Sequence, residues 1–268
     1  MRKIGFIGLG EMGALMAKNL VGSGYQLSVF DINKQAVKEL SKLGAGECSS
    51  AKEVGEYSNI TIIMARTTEQ VNAIILGEKG LLEGCKAKSR ILIMSTISPV
   101  AVQNIAEIAK KKEIEVMDAP VSGGRQGAEE AMLSIMVGGD KNVFQEVRPI
   151  LEKVGKKIFY LGGYGMGEVA KIANNLLLLI NMNAAYEAIE LAEKAGLSLK
   201  SFLDIVEPST GGSWVLEHWD MVTSWKKNYE PGGTLDLIYK DFGLASGLAQ
   251  DLRVPVYLGS LASQLGRY

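Results

Sequence analysis

Residues 3–24, "KIGFIGLGEMGALMAKNLVGSG", decide the fold. "KIGFIGLG" is a short β-branched and aromatic run ending in glycine, the form of a buried strand. "EMGALMAKNLVGSG" then places apolar residues at helical spacing and stops at Gly22 and Gly24. Gly8-Leu9-Gly10-Glu11-Met12-Gly13 between them is a GxGxxG. Such a triplet in isolation often marks only a tight turn. Here it follows a strand and opens a helix, and Asp31 ends the next strand, "QLSVFD", at the distance expected of a ribose ligand. Gly8 permits the turn, Gly10 lets the backbone approach a pyrophosphate, and Gly13 lets helix and strand pack closely. The helix N-terminus offers N–H groups and positive dipole to the anion. Asp31 can accept hydrogen bonds from both ribose hydroxyls and would repel a 2′-phosphate, which favours NAD over NADP. Lys34 is the nearby cation that could tolerate that phosphate. The bland role for Asp31 is to cap the helix that starts near Asn33.

Outward from this stretch, strand and helix signals alternate. "NKQAVKELSKLG" and "PVAVQNIAEIAKKK" read as helices, and "NITIIMA", "RILIMS" and "IEVMDAP" as buried strands. Near-continuous apolar strands alternating with helices argue for a parallel sheet covered on both faces. "LSIMVGG" and "KIFYLGG" are expected to continue that sheet, with "KNVFQEVRPILEKVG" as the helix between them. Beyond "LGGYGMG" the pattern becomes helical, at about 167–195, 199–206, 213–226, 235–251 and 255–265. The expected division is a dinucleotide-binding domain over 1–163 and an all-helical domain over 164–268 that begins with the long helix 167–195.

The bulk properties agree with a soluble globular protein of two domains. At 268 residues the chain exceeds the size at which single cores stop growing. A formal net charge of -1 implies no basic face, so nucleic acid is not an expected partner. Cys48 and Cys85 show no metal-binding or CxxC pattern and read as reduced thiols of a cytosolic protein. "IGFIGLG" is too short and glycine-rich for a signal sequence. "LLLLINMN" falls far short of the ~20 apolar residues of a membrane span. No metal site is expected. The single histidine, His218, leaves little room for histidine-based catalysis. Trp214, His218 and Trp219 fall at helical spacings, and His218 reads as part of a packed helix.

One stretch resists a purely structural reading. "EVAKIANNLLLLINMNAAYEAI", residues 168–189, is apolar enough to bury almost any face of a helix, yet Lys171, Asn174 and Asn175 stand at its head. Lysine is almost never fully buried without a partner or a task. Lys171 and Asn175, four apart, share a helix face. An apolar surround would lower the lysine pKa from its ordinary ~10.4 and suit it to proton transfer near neutral pH. The alternative is a snorkelling, solvated lysine. "PVSGG", Pro120–Gly124, is the other chemical motif. Two glycines after Ser122 let backbone N–H groups converge on a small anion, and the hydroxyl adds a donor.

Four blocks together resemble the β-hydroxyacid dehydrogenase family, across nearly the whole chain: "GFIGLGEMGALMAKNL" at the start, "DAPVSGGRQGAEEAML" at 118–133, "GEVAKIANN" at 167–175 and "KDFGLA" at 240–245. The resemblance implies a Rossmann-type, doubly wound parallel sheet domain, a long interdomain helix and an all-α second domain. It implies hydride transfer between a nicotinamide cofactor and a small β-hydroxyacid or its semialdehyde. By the same analogy Lys171 is the general acid–base and Asn175 orients the substrate. Ser122, Gly123 and Gly124 would hold the substrate carboxylate. From position alone, Arg125 directly follows that loop as a further candidate for the substrate, and Trp214 could border the pocket because "STGGSW" leads into it. The cofactor would meet Gly8, Leu9, Gly10, Glu11, Met12 and Gly13, then Asp31, Ile32 and Asn33, then Met64, Ala65, Arg66 and Thr96. Lys240 would close over it from the second domain. A homodimer or homotetramer is implied, and no membrane partner.

The chain departs from the family pattern at Arg66, where proline is usual, and at Ala131, where glycine is common. Its C-terminal end, "ASQLGRY", is also short against the family. Arg66 and Arg125 could together suit a substrate more anionic than a monocarboxylate, because arginine offers a planar fork of donors. Two other functions remain open from sequence. An imine-type reductase on this scaffold would have less use for "SGG". A non-catalytic nucleotide-binding module would have none for Lys171 beside Asn175.

Overall fold

The computed structural model describes residues 3–228 and 233–265. The chain forms two compact units, Met1–Lys171 and Ile172–Tyr268. Strands and helices of the first are β1 (Lys3–Ile7), α1 (Glu11–Gly22), β2 (Gln26–Phe30), α2 (Lys34–Ser41), β3 (Gly46–Glu47), α3 (Ala51–Tyr57), β4 (Ile60–Ile63), α4 (Thr68–Leu76), α5 (Leu81–Gly84), β5 (Arg90–Ile93), α6 (Pro99–Lys110), β6 (Glu115–Asp118), β7 (Val121–Ser122), α7 (Gly124–Glu129), β8 (Leu133–Val137), α8 (Lys141–Leu151) and β9 (Gly155–Tyr160). The long helix α9 (Met166–Lys194) gives its first turns to this unit.

Six strands form one parallel sheet in the order β3-β2-β1-β4-β5-β6. Side chains alternate between its two faces. Ile4, Phe6, Ile62 and Leu92 enter one apolar cluster, whereas Ile7, Ile63, Ile91 and Ile93 enter the other. Both faces are covered, which is why the strands read as unbroken apolar runs. Strand order reverses between β1 and β4, and crevices for ligands form at the carboxyl ends of strands at such a point. Side-chain caps fix where the covering helices begin. Asn33 accepts the Gln35 and Ala36 N–H groups, and Ser50, Thr67 and Asp140 cap α3, α4 and α8.

The sheet does not continue as expected past β6. "LSIMVGG" and "KIFYLGG" belong to a separate three-stranded sheet, β7-β8-β9, in which β7 is antiparallel to β8 and β8 parallel to β9. A bridge between Asp118 and Gly138 is the join. The cause is local. Pro120 has no N–H for a ladder, and Gly123 and Gly124 turn the chain back with φ of +132° and +61°. The returning chain meets the end of β6 only through that one antiparallel bridge and pairs onward as its own sheet.

The second unit is helical. It comprises the remainder of α9 with α10 (Leu199–Val206), α11 (Trp214–Glu217), α12 (Trp219–Lys227), α13 (Thr234–Leu252) and α14 (Tyr257–Leu265). Its core includes Leu179, Met182, Ile189, Val215, Trp219, Val222 and Ile238. The expected single helix over 213–226 is two, because His218 leaves helical geometry at φ −121° and ψ 33°. His218 is exposed to solvent but packs along its own helix turn. Its Nδ1 lies 3.0 Å from the Trp214 carbonyl and its ring stacks on the Trp214 indole at 4.4 Å. Among the described residues no helix is long and apolar enough to cross a membrane.

Candidate active site

The glycine loop between β1 and α1 is shaped by close approach. A Cβ at Gly8 would collide with the Met64 carbonyl, and one at Gly13 with the Gly8 carbonyl. A Cβ at Gly10 would meet nothing within 4 Å, so the backbone there is open to a large anion. No side chain caps α1. Its first N–H groups face outward in the form that suits a pyrophosphate. Glu11 is exposed and Met12 packs against the core. The residues present therefore fit a dinucleotide.

Asp31 has a task that the sequence did not reveal. One carboxylate oxygen accepts the Leu9 N–H at 2.5 Å and the other the Asn33 N–H at 2.7 Å. It ties the glycine loop to the end of β2, while Asn33, not Asp31, caps α2. Ile32 beside it is 88% exposed. Lys34 places its ammonium over the Phe30 ring, 5.1 Å from the centroid.

The ends of β4 and β5 are joined through Ser95, at the strand end expected to line the cofactor crevice. Buried Ser95 accepts the Ala65 N–H on its hydroxyl at 2.7 Å. Its neighbour Thr96, expected beside the cofactor, follows in the loop that leaves β5. Arg66 is exposed, and its backbone N–H bonds the Gln70 side chain at 2.9 Å. Ser122 ends β7, and the left-handed glycines after it lead into α7. Arg125 is exposed on that short helix. Asn19 on α1 donates to the Ala128 carbonyl at 2.7 Å, which fastens α7 to the helix that follows the glycine loop.

The head of α9 answers why a lysine stands in an apolar run. The helix does not bury every face, as its composition suggested. It buries one stripe: Glu168, Lys171, Ile172, Asn175, Leu179, Met182 and Ile189, while Leu177 and Leu191 are 59% and 74% exposed. Lys171 lies on the buried stripe, 9% exposed. Two buried carboxylates belong to the same region, Glu168 in the first turn of α9 and Asp118 at the end of β6. Asp118 accepts the Gly165 N–H at 2.8 Å and the Glu168 N–H at 2.9 Å. Burial pushes its pKa up, and these backbone donors pull against that shift. Glu168 accepts the Ile97 N–H at 3.2 Å. Gly167 has no room for a side chain, since a Cβ would strike the Met136 carbonyl.

In the second unit a polar chain surrounds Asn175. The Asn174 side chain donates to the side-chain Oδ1 of Asn175 at 3.0 Å, and the Asn175 Nδ2 donates to Asp241 at 2.5 Å. The other Asp241 oxygen pairs with Lys240 at 2.8 Å. Asp241 is 6% exposed, so it is a buried acid held by an amide and an ammonium. It lies inside "KDFGLA", where an acid beside a lysine was the available signal. Trp214 is 45% exposed and stacks on His218 and Trp225.

Comparison with known proteins resolves the ancestry of this arrangement. Residues 3–162 match the family model described as the NAD binding domain of 6-phosphogluconate dehydrogenase. Residues 165–268 match that for the NAD-binding domain of NADP-dependent 3-hydroxyisobutyrate dehydrogenase. The chain belongs to the β-hydroxyacid dehydrogenase family. It is accordingly a nicotinamide-dependent oxidoreductase. An NAD-dependent L-serine dehydrogenase of Pseudomonas aeruginosa is 38% identical, over 100% of this chain and 92% of its own length. A solved Mycobacterium tuberculosis 3-hydroxyisobutyrate dehydrogenase with L-serine is 33% identical with a TM-score of 0.87, covering 98% of this chain and 92% of its own. An imine reductase from Myxococcus stipitatus covers 100% and 93% of the two chains with a TM-score of 0.72, but at 17% identity that likeness concerns the fold alone. Family membership does not favour the imine-reductase or the non-catalytic reading.

Proposed function

We propose that this β-hydroxyacid dehydrogenase interconverts a small hydroxyacid and its semialdehyde, with Lys171 as the general acid–base. One observation carries the assignment: Lys171 is nine-tenths buried on the stripe of α9 that also buries Asn175 one turn on. Burying an amine costs stability unless it is paired, and a paired, buried lysine in a nicotinamide-dependent fold supports a proton-transfer role. Nicotinamide, when bound, supplies or accepts the hydride at the substrate carbon. Lys171 gives the matching proton to the alkoxide oxygen during reduction and removes it from the hydroxyl during oxidation. Ser122 and the Gly123–Gly124 backbone anchor the carboxylate, and Asn175 orients the substrate. Asp31 supports NAD as the cofactor.

Arg125 supports a more anionic substrate, being exposed directly after the anion loop. Tyr257, Leu258 and Leu261 on α14 are 80%, 67% and 57% exposed, which supports a homo-oligomer with that helix in the interface. Sedimentation equilibrium tests this point, and a monomer would refute it. Two free cysteines support a cytoplasmic home.

The test of function is a spectrophotometric screen. NAD reduction with L-serine and 3-hydroxyisobutyrate, and NADH oxidation with several semialdehydes, should show turnover. Lys171→Ala should lower kcat by about 10²–10⁴-fold with cofactor affinity little changed. A wild-type protein inactive on every compound, or a variant with most of its turnover, would overturn the assignment.

A further inference from the structure

The first turn of α9 holds a carboxylate that the reaction as described does not use. Glu168 is fully buried, at 0% exposed. Glutamate is almost never so placed unless paired. It stands three residues before Lys171, and helix positions i and i+3 are surface neighbours with Cβ atoms about 5–6 Å apart. Its carboxylate also accepts the Ile97 N–H at 3.2 Å, across 71 positions of sequence. Ile97 directly follows Thr96, in the loop that leaves β5. One side chain thus ties that loop to the turn that carries the lysine.

Neighbouring elements narrow the role. From β6 the charged group facing this turn is Asp118, whose carboxylate is occupied by the Gly165 and Glu168 N–H groups. From β8 the facing group is the neutral Met136 carbonyl, against Gly167. From the β5 loop it is the Ile97 N–H. On α9 itself it is Lys171, and Asn175 one turn on is uncharged. Asp118 therefore anchors the backbone of the helix start. Glu168 is the carboxylate one turn from the amine.

We propose that Glu168 is the positioning residue for Lys171, keeping its amine charged and in register with the Thr96–Ile97 loop. The proposal rests on the assignment of Lys171 as acid–base. A negative charge one turn away favours the ammonium and opposes the effect of burial. Without it, the amine loses its proton more readily. In the oxidative direction the neutral amine is the base, so activity should appear at lower pH. In the reductive direction the ammonium is the acid, so activity should fail at lower pH. Both limbs move the same way.

The experiment compares wild type with Glu168→Gln and Glu168→Asp. Glutamine keeps an acceptor for the Ile97 N–H and removes only the charge. The kcat–pH limb for oxidation of L-serine or 3-hydroxyisobutyrate should shift down by about one pH unit in Glu168→Gln. Glu168→Asp, which keeps the charge, should hold the limb near wild type with a reduced kcat. Limbs that superimpose for Glu168→Gln and wild type, or equal shifts in both variants, would overturn the proposal. A second readout needs no turnover. In protein carrying ε-13C-lysine, the Lys171 signal (identified by its loss in Lys171→Ala) should titrate about one unit lower in Glu168→Gln. If wild type has no activity, the functional assignment fails while this titration still decides the role of Glu168. If Glu168→Gln does not fold, the wild-type Lys171 signal should show a second inflection in the acid range, from the coupled carboxylate. A single inflection would then overturn the proposal.

Discussion

Asn175 donates its side-chain N–H to Asp241 at 2.5 Å, across 66 positions of sequence. The bond uses one amide proton, and Asn174 occupies the carbonyl oxygen. Rotation of the Asn175 amide would break both contacts, so its orientation is fixed by two partners. Asp241 is buried and also holds Lys240. Truncating Asp241 removes the acceptor of the Asn175 amide and one partner of the Lys240 ammonium. Asp241→Ala should lower folding stability by about 1–3 kcal/mol in urea titrations, together with kcat. Asp241→Asn should recover part of the stability. Unchanged stability in Asp241→Ala would show that the network does not restrain Asn175.

The Asp31 carboxylate bonds Leu9 and Asn33 through separate oxygens. A 2′-phosphate beside it would face an anion already fixed in place. Wild type should show the higher kcat/KM with NADH, and Asp31→Asn should move the preference toward NADPH. Lys34 is engaged with the Phe30 ring. Equal efficiency of wild type with both cofactors would contradict this assignment and would mean that Lys34 leaves the ring to meet the phosphate.

Local signals carried most of what the sequence disclosed. The β1–α1 glycine loop is legible because turn, strand and helix start lie within a dozen residues. Lys171 is legible because its chemistry conflicts with its neighbours. The partners of these residues were not legible, since burial and hydrogen bonding pair positions far apart. Ser95 meets Ala65, Glu168 meets Ile97, and Asp241 meets Asn175 across 30, 71 and 66 positions. Periodicity is blind to such pairs. It also missed the second sheet, because an apolar strand reads alike whichever ladder it joins. The break at His218 was hidden for a related reason: a one-residue departure leaves the helical spacing of Trp214 and Trp219 almost unchanged.

Asp118 makes a stability prediction with a definite sign. Burial raises its folded pKa above the ordinary 3.8. The folded state therefore holds this proton more tightly than the unfolded chain. The associated stability is fully present below about pH 3.8 and is lost as pH rises through the raised folded value. Asp118→Asn removes the titration. The stability of wild type relative to Asp118→Asn should consequently fall from acid toward neutral pH, and then level. Urea unfolding of both proteins at a series of pH values measures it. A difference that grows with pH would mean that the Gly165 and Glu168 N–H bonds outweigh burial.

Ala131 takes φ +56°, the left-handed region, in the turn between α7 and β8. This is the position where the family commonly has glycine, and the geometry shows why. A Cβ in that region costs roughly 1–2 kcal/mol. The turn is held nonetheless, because Met132 donates to the Gly127 carbonyl at 2.8 Å. Ala131→Gly relieves the strain but gives the unfolded chain more freedom, worth about 0.4–1 kcal/mol in the opposite direction. The balance should leave the variant more stable by about 0.5–1 kcal/mol. Because the turn follows the Ser122–Gly124 loop through α7, KM should change little if that loop keeps its conformation. Urea unfolding and steady-state kinetics on the same preparation test both statements. A variant no more stable than wild type would show that the surrounding turn relieves the strain without help from glycine.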